Sequence, residues 1–154
     1  MLDSQTEKGI KYIKQETKIA DAICEKLRCE QIHMASNDCQ VDRLFFRGKT
    51  LVSIGEIKSR NMSLEELKKH GSYLISYKKL QMGKAFCDLT GVPYFLFVKL
   101  IPDDEIYFWK ICDNEGNWTT NFETKETVTK SNVNGGSATR INAFIELDQM
   151  KRLE

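Results

Sequence analysis

Asp42 and, fourteen residues later, Glu56-Ile57-Lys58 are the side chains of this 154-residue chain whose types and spacing are suited to chemistry. Glu56 and Lys58 stand two apart on the run from Leu51 to Lys58, so alternation along a strand turns both to one face and Ile57 to the other. With Asp42 paired beside Glu56, two carboxylates and an ammonium converge. Like charges facing each other destabilise a sheet unless something compensates, and a divalent cation would do so. Mg²⁺ prefers hard oxygen ligands and keeps several waters. Held between Asp42 and Glu56, it would polarise a phosphoryl oxygen and acidify a water. Lys58 would stabilise the charge that grows in the transition state or help deliver the nucleophile. The same residues allow a plainer reading, in which Glu56 and Lys58 form an exposed surface pair and Asp42 and Arg43 are strand-edge charges.

The elements around these residues decide whether they meet. Val41–Arg47 and Leu51–Arg60 form a predicted hairpin about Gly48-Lys49. A two-residue loop pairs Arg47 with Thr50 and sets Asp42 opposite Gly55. A three-residue loop, or an equivalent bulge, sets Asp42 opposite Glu56. A one-residue slip carries a side chain to the other face, so the site requires the second register, and the sequence leaves the choice open.

Upstream, Ile10, Ile13, Thr17, Ala20, Cys24 and Leu27 recur at helical spacing and predict a helix over residues 3–30. Glu16 flanks that stripe, at a boundary between core and cleft. Gln31–Ala35 reads as a short strand, followed by turn chemistry at Ser36-Asn37-Asp38. Ser63-Leu64-Glu65-Glu66 is a capping box. It predicts one helix, bent at Gly71 and ending before Gly91 and Pro93, with Tyr77, Gln81 and Lys84 on one face. Val92–Ile101 is apolar throughout, as in a central strand covered on both faces. Glu105–Cys112 and Trp118–Thr120 read as a second hairpin, with Trp109 and Trp118 as sheet packing. Asn121–Thr139, which contains Asn134-Gly135-Gly136, reads as a loop. Ile141, Phe144, Ile145, Leu147, Met150 and Leu153 predict a closing amphipathic helix.

The length suits a single domain with its own core. No stretch is long and apolar enough for a membrane span, and Met1–Gln5 lacks the basic start of a secretory signal. The five cysteines form no C-x-x-C pair, and their odd number argues against a complete disulfide framework. A reducing, cytoplasmic setting is therefore expected. Zinc ligation by Cys24, Cys29, Cys39 and His33 matches no familiar spacing, and buried thiols are the better reading. Net charge is only +1, but residues 41–84 hold ten Lys/Arg against four Asp/Glu, while the rest holds thirteen against eighteen. The basic excess surrounds the suspected centre, where a phosphate backbone would lie.

The order helix, strand, strand bearing Asp42, strand bearing Glu56-x-Lys58, helix, buried strand resembles the PD-(D/E)XK nuclease superfamily, nearest its compact Holliday-junction-resolvase-like and phage-type members. The resemblance covers residues 5–101; Val41 stands where the family name has proline. It implies a single α/β (α+β), restriction-endonuclease-like domain: a central mixed sheet flanked by helices, with an αβββαβ core. Residues 102–154 would add a hairpin and a helix as an extension. It further implies that Asp42, Glu56 and the Ile57 carbonyl bind Mg²⁺, with Mn²⁺ as a substitute. Lys58 would act on the attacking water, and Glu16 would join from the first helix. Arg60, Tyr77, Gln81 and Lys84 would contact DNA, the alternative for the last three being helix packing and solvation. The expected protein is a homodimeric, Mg²⁺-dependent DNA endonuclease, with branched DNA as a candidate substrate. The alternative is a protein of the same fold, without the chemistry, that binds nucleic acid or a protein partner.

Overall fold

The computed structural model describes residues 6–34, 41–129 and 138–154. The first helix, α1, is Glu7–Leu27. Thr6 caps it, its hydroxyl accepting from the Gly9 amide at 3.0 Å, and Arg28 ends it in the left-handed region. Its packing is rotated from the predicted stripe. Ile19, Ala20, Ile23 and Cys24 are buried, whereas Ile10 and Leu27 are exposed. The second half of the helix makes this contact, against Phe45, Ile57, Phe97 and Leu153.

Three strands follow: β1 (Glu30–His33), β2 (Arg43–Arg47) and β3 (Thr50–Arg60). The turn expected at Ser36-Asn37-Asp38 lies outside the described residues. The β2–β3 turn has two residues, with Gly48 at φ 59° and Arg47 paired to Thr50. A bulge then restores the register the site needs. Phe46 pairs with Leu51 but Phe45 pairs with Ser53, so Val52 is the extra residue. Beyond it Leu44 meets Ile54 and Arg43 meets Gly55, so the next step inward brings Asp42 to Glu56.

The single bent helix expected after Ser63 is two helices separated by a strand. Helix α2 (Leu64–His70) carries both bonds of the capping box. It stops at Gly71, where φ is 80° and the amide bonds to Leu67 and Lys68 carbonyls. Strand β4 (Ser72–Ser76) comes next and leads directly into helix α3 (Tyr77–Thr90). The sequence reading missed β4 because its partner lies some seventy residues downstream, at Asn142–Glu146. Strand β5 (Tyr94–Leu100) is buried and parallel to β3. Gly83 lets α3 sit tightly on it, since a Cβ there would collide with the Tyr94 ring.

Strand β6 (Glu105–Cys112) pairs antiparallel with β5. Of the hairpin strand expected at Trp118–Thr120, only a single bridge from Trp118 to Cys112 forms. The expected loop over 121–139 contains strand β7 (Phe122–Thr129); its Asn134-Gly135-Gly136 turn lies outside the described residues. The predicted closing helix is absent. Its residues form strand β8 (Ala138–Glu146), a turn in which the Met150 amide bonds to the Leu147 carbonyl at 3.1 Å, and the short strand β9 (Lys151–Arg152). Ala143 and Ile145 are buried while Phe144 points to the other face, a two-residue alternation that the three- and four-residue apolar spacing concealed.

The larger sheet runs β1-β2-β3-β5-β6-β9 and is mixed, because only β3–β5 is parallel. A smaller sheet runs β4-β8-β7. One face of the large sheet packs on α1. The other shares a core with α2, α3 and the small sheet, through Ile54, Leu96, Leu80, Tyr73 and Ile145. The α/β class and mixed sheet are as expected; the C-terminal extension is β-structure rather than a hairpin with a helix.

Candidate active site

Asp42 precedes β2, and its Oδ2 accepts a hydrogen bond from the Ile57 amide at 3.2 Å. That contact spans the hairpin and ties the aspartate to the middle of Glu56-Ile57-Lys58. Behind it lies Arg43, fully buried, with Nε 3.7 Å from Asp42 Oδ2. The guanidinium also donates to Gln31 Oε1 and Thr17 Oγ1, each at 3.4 Å. A buried guanidinium with neutral partners and one carboxylate holds that carboxylate in place. His33 Nε2 is 3.5 Å from Asp42 Oδ1. Burial, then the Arg43 charge, lower the imidazole pKa against the opposing pull of Asp42.

Glu56 is 2% exposed. Its Oε1 lies 3.2 Å from Lys58 Nζ and 3.3 Å from Lys79 Nζ. Its Oε2 is buried with no hydrogen-bond partner among the described residues. An orphaned carboxylate oxygen is costly to bury, and one more cation would satisfy it. Glu16 senses the same cluster. Burial raises its pKa to about 7, with Asp42 and Glu56 adding to the rise and Lys58 and Arg43 opposing it. Tyr73, on β4, is likewise pushed up to about 12 by burial, with Arg60 opposing and Glu56 and Glu16 contributing, and its buried hydroxyl also has no hydrogen-bond partner among the described residues.

Asp42, Glu56, Glu16 and the Ile57 carbonyl form a donor set of hard oxygens, suited to Mg²⁺ or Mn²⁺. The spare Glu56 oxygen and the uncompensated burial of Glu16 fit an additional positive charge. Among the described residues, however, no group of three or more His, Cys, Asp and Glu closes around one point tightly enough to hold a metal ion.

A family described as "Phage putative PDDEXK endonuclease" matches residues 8–148. The chain belongs to this PDDEXK endonuclease family. The match runs through β6, β7 and most of the β8–β9 region, well beyond residue 101, where the sequence resemblance ended. No curated protein matches the chain. A 1.6 Å structure of Hjc, a Holliday junction resolvase from Archaeoglobus fulgidus, aligns with 62% of this chain and 72% of its own, at 19% identity and a TM-score of 0.45.

In this PDDEXK chain the structure gathers Asp42, Glu56 and Lys58 and brings Glu16 into their field. The residues expected to contact DNA are more dispersed. Arg60, ending β3, lies over the Tyr73 ring at 5.5 Å. Tyr77 packs on Phe122 at 5.9 Å, and Lys84 pairs with Asp88 at 3.1 Å beneath Trp118. Gln81 is exposed between them. That face of α3 meets β7 and the Trp118 segment, whereas Lys79 reaches Glu56. Sequence reasoning missed Lys79, His33 and the buried role of Arg43. For Arg43 a signal existed, because Val41, Arg43 and Phe45 alternate inward. For Lys79 there was none, since its contact depends on how α3 lies across β3.

Proposed function

We propose that the protein is a Mg²⁺-dependent endonuclease that hydrolyses DNA phosphodiester bonds at Asp42, Glu56, Lys58 and Glu16, with Mn²⁺ able to replace Mg²⁺. The observation that carries the reading is the Ile57 amide's bond to Asp42 at 3.2 Å, which sets both carboxylates at one place on the hairpin despite its two-residue turn. Asp42, Glu56 and the Ile57 carbonyl would hold the ion, which when bound supplies Lewis-acid polarisation of the phosphate and a more acidic water. Arg43 keeps Asp42 oriented. Lys58, 3.2 Å from Glu56, stabilises charge on the phosphoryl oxygens. Glu16, with a pKa of about 7 before any ion binds, is poised to accept a proton near neutral pH. In the balanced reaction, water oxygen bonds to phosphorus, one P–O ester bond breaks, and the leaving oxygen takes a proton. Arg60, Tyr77, Gln81 and Lys84 line the proposed path of the DNA. The finer proposals are a branched substrate and a homodimer that cuts paired strands, with each chain acting as one domain.

The test is incubation with supercoiled, linear and branched DNA in Mg²⁺ and in EDTA. We expect nicking that needs the metal and falls by on the order of a hundredfold or more in Asp42→Asn and Lys58→Ala. Undiminished cleavage in those variants would show that the site is misplaced. A second reading, a non-catalytic binder of nucleic acid or of a protein partner, draws on the two lysines that already engage Glu56 and on the open ligand set. It predicts DNA affinity that falls steeply with salt, and no turnover.

A further inference from the structure

Glu56 is paired twice on one oxygen. Lys58 comes from its own strand, and Lys79 from the first turn of α3, which packs over the sheet from the other core. One carboxylate balances one ammonium, so the trio carries an excess positive charge. Two ammonium groups sharing one oxygen also repel each other at short range. The excess is not sealed in the core: the lysine side chains are 27% and 24% exposed, against 3% for that of Glu56. The cations therefore lie on the solvent side of the carboxylate, where a polyanion arrives. The first turn of α3 adds positive potential, since it has no acidic residue and its N-cap Ser76 makes no side-chain cap bond. Lys58 alone suffices as an ion-pair partner for Glu56, which leaves Lys79 available for a second anion.

We infer that Lys79, poised 3.3 Å from Glu56 Oε1 beside Lys58, is a second catalytic cation whose ammonium contacts a non-bridging oxygen of the scissile phosphodiester. The inference rests on the nuclease reading and assigns that site a phosphate-binding residue that Asp42 and Glu56-x-Lys58 do not specify.

The experiment compares wild type, Lys79→Ala, Lys79→Gln and Lys79→Arg. Fluorescence anisotropy with a duplex oligonucleotide in EDTA is followed across a NaCl series, and single-turnover cleavage in Mg²⁺ is measured alongside. Lys79→Ala and Lys79→Gln should each reduce the slope of log affinity against log salt by about 0.9, the value of one phosphate contact. Both should slow single-turnover cleavage by roughly ten- to a hundredfold, while Lys79→Arg keeps the salt slope. Lys79→Gln retains a donor to Glu56, so a purely structural role would leave its slope and rate at wild-type values. That result, or an unchanged slope in folded Lys79→Ala, overturns the inference while wild-type cleavage upholds the nuclease reading. Wild-type protein that neither binds nor cuts DNA overturns both.

Discussion

Two of the antiparallel strand pairs, β2–β3 and β7–β8, use the same backbone bonding to opposite ends. In the β2–β3 hairpin a tight turn is followed by a bulge at Val52, and the interior beyond it carries Asp42, Arg43 and Glu56. The β7–β8 hairpin pairs from Phe122–Ile145 to Thr129–Ala138 with no register shift. Its last four pairs, from Glu126–Ile141 outward, continue past Ser76, where β4 ends. There Val128 and Ile141 are 65% and 47% exposed. An unbroken ladder suffices where only packing and solvation are at stake. Where one side chain must land on one face, the chain inserts a residue, because a bulge is the smallest change that shifts register without altering the turn.

The sharpest way to break this comparison is to delete Phe46, which pairs with Leu51 just before the bulge. With Val52 still the extra residue, Asp42 is drawn back opposite Gly55, and cleavage should fall on the order of a hundredfold or more, while circular dichroism retains the mixed α/β spectrum. Normal activity in the deletion variant would mean that the register of Asp42 against Glu56 does not set the site. A smaller effect is expected from Gly83→Ala. It drives a methyl into the Tyr94 ring at the contact that seats α3, and with it Lys79, near the first hairpin. Urea titration should show a loss of about 1–3 kcal/mol.

Smaller again is the effect of neutralising Glu16. Its folded pKa of about 7 lies above the ordinary 4.5, so between these values the folded protein holds a proton that the unfolded chain has released. Stability therefore falls as pH rises through that window, and the penalty is complete above it. In EDTA, Glu16→Gln should melt a few degrees higher than wild type at pH 8, with the difference vanishing by pH 4. An equal gain at both pH values would show that the charge cluster is not its source. Last, Val128→Thr and Ile141→Thr in the overhanging ladder should each change stability by less than about 0.5 kcal/mol, as read by the same titration.

Legibility followed the range of the interactions. The capping box at Ser63, the buried strand after Pro93 and the Gly48 turn depend on a few adjacent residues, and each is where the sequence placed it. Ser72–Ser76 was absorbed into a helix because its strand state depends on hydrogen bonds to residues 142–146. The 141–153 segment carries apolar residues at Ile141, Phe144 and Ile145 that satisfy a helical step and, in part, a strand alternation. Pairing with β4 and β7 decides between them.

The site divides along the same line. By itself the sequence determined which residues make up the candidate site: Asp42, the shared face of Glu56 and Lys58, Glu16 on the flank of the first helix, and a basic neighbourhood. Side-chain alternation and helical periodicity are local rules, and they fix faces. The tertiary structure alone decided that a bulge at Val52 offsets the two-residue turn, that Arg43 is buried behind Asp42, and that Lys79 joins Lys58 on Glu56. Those outcomes depend on how distant elements pack, and no local period in the chain encodes that distance.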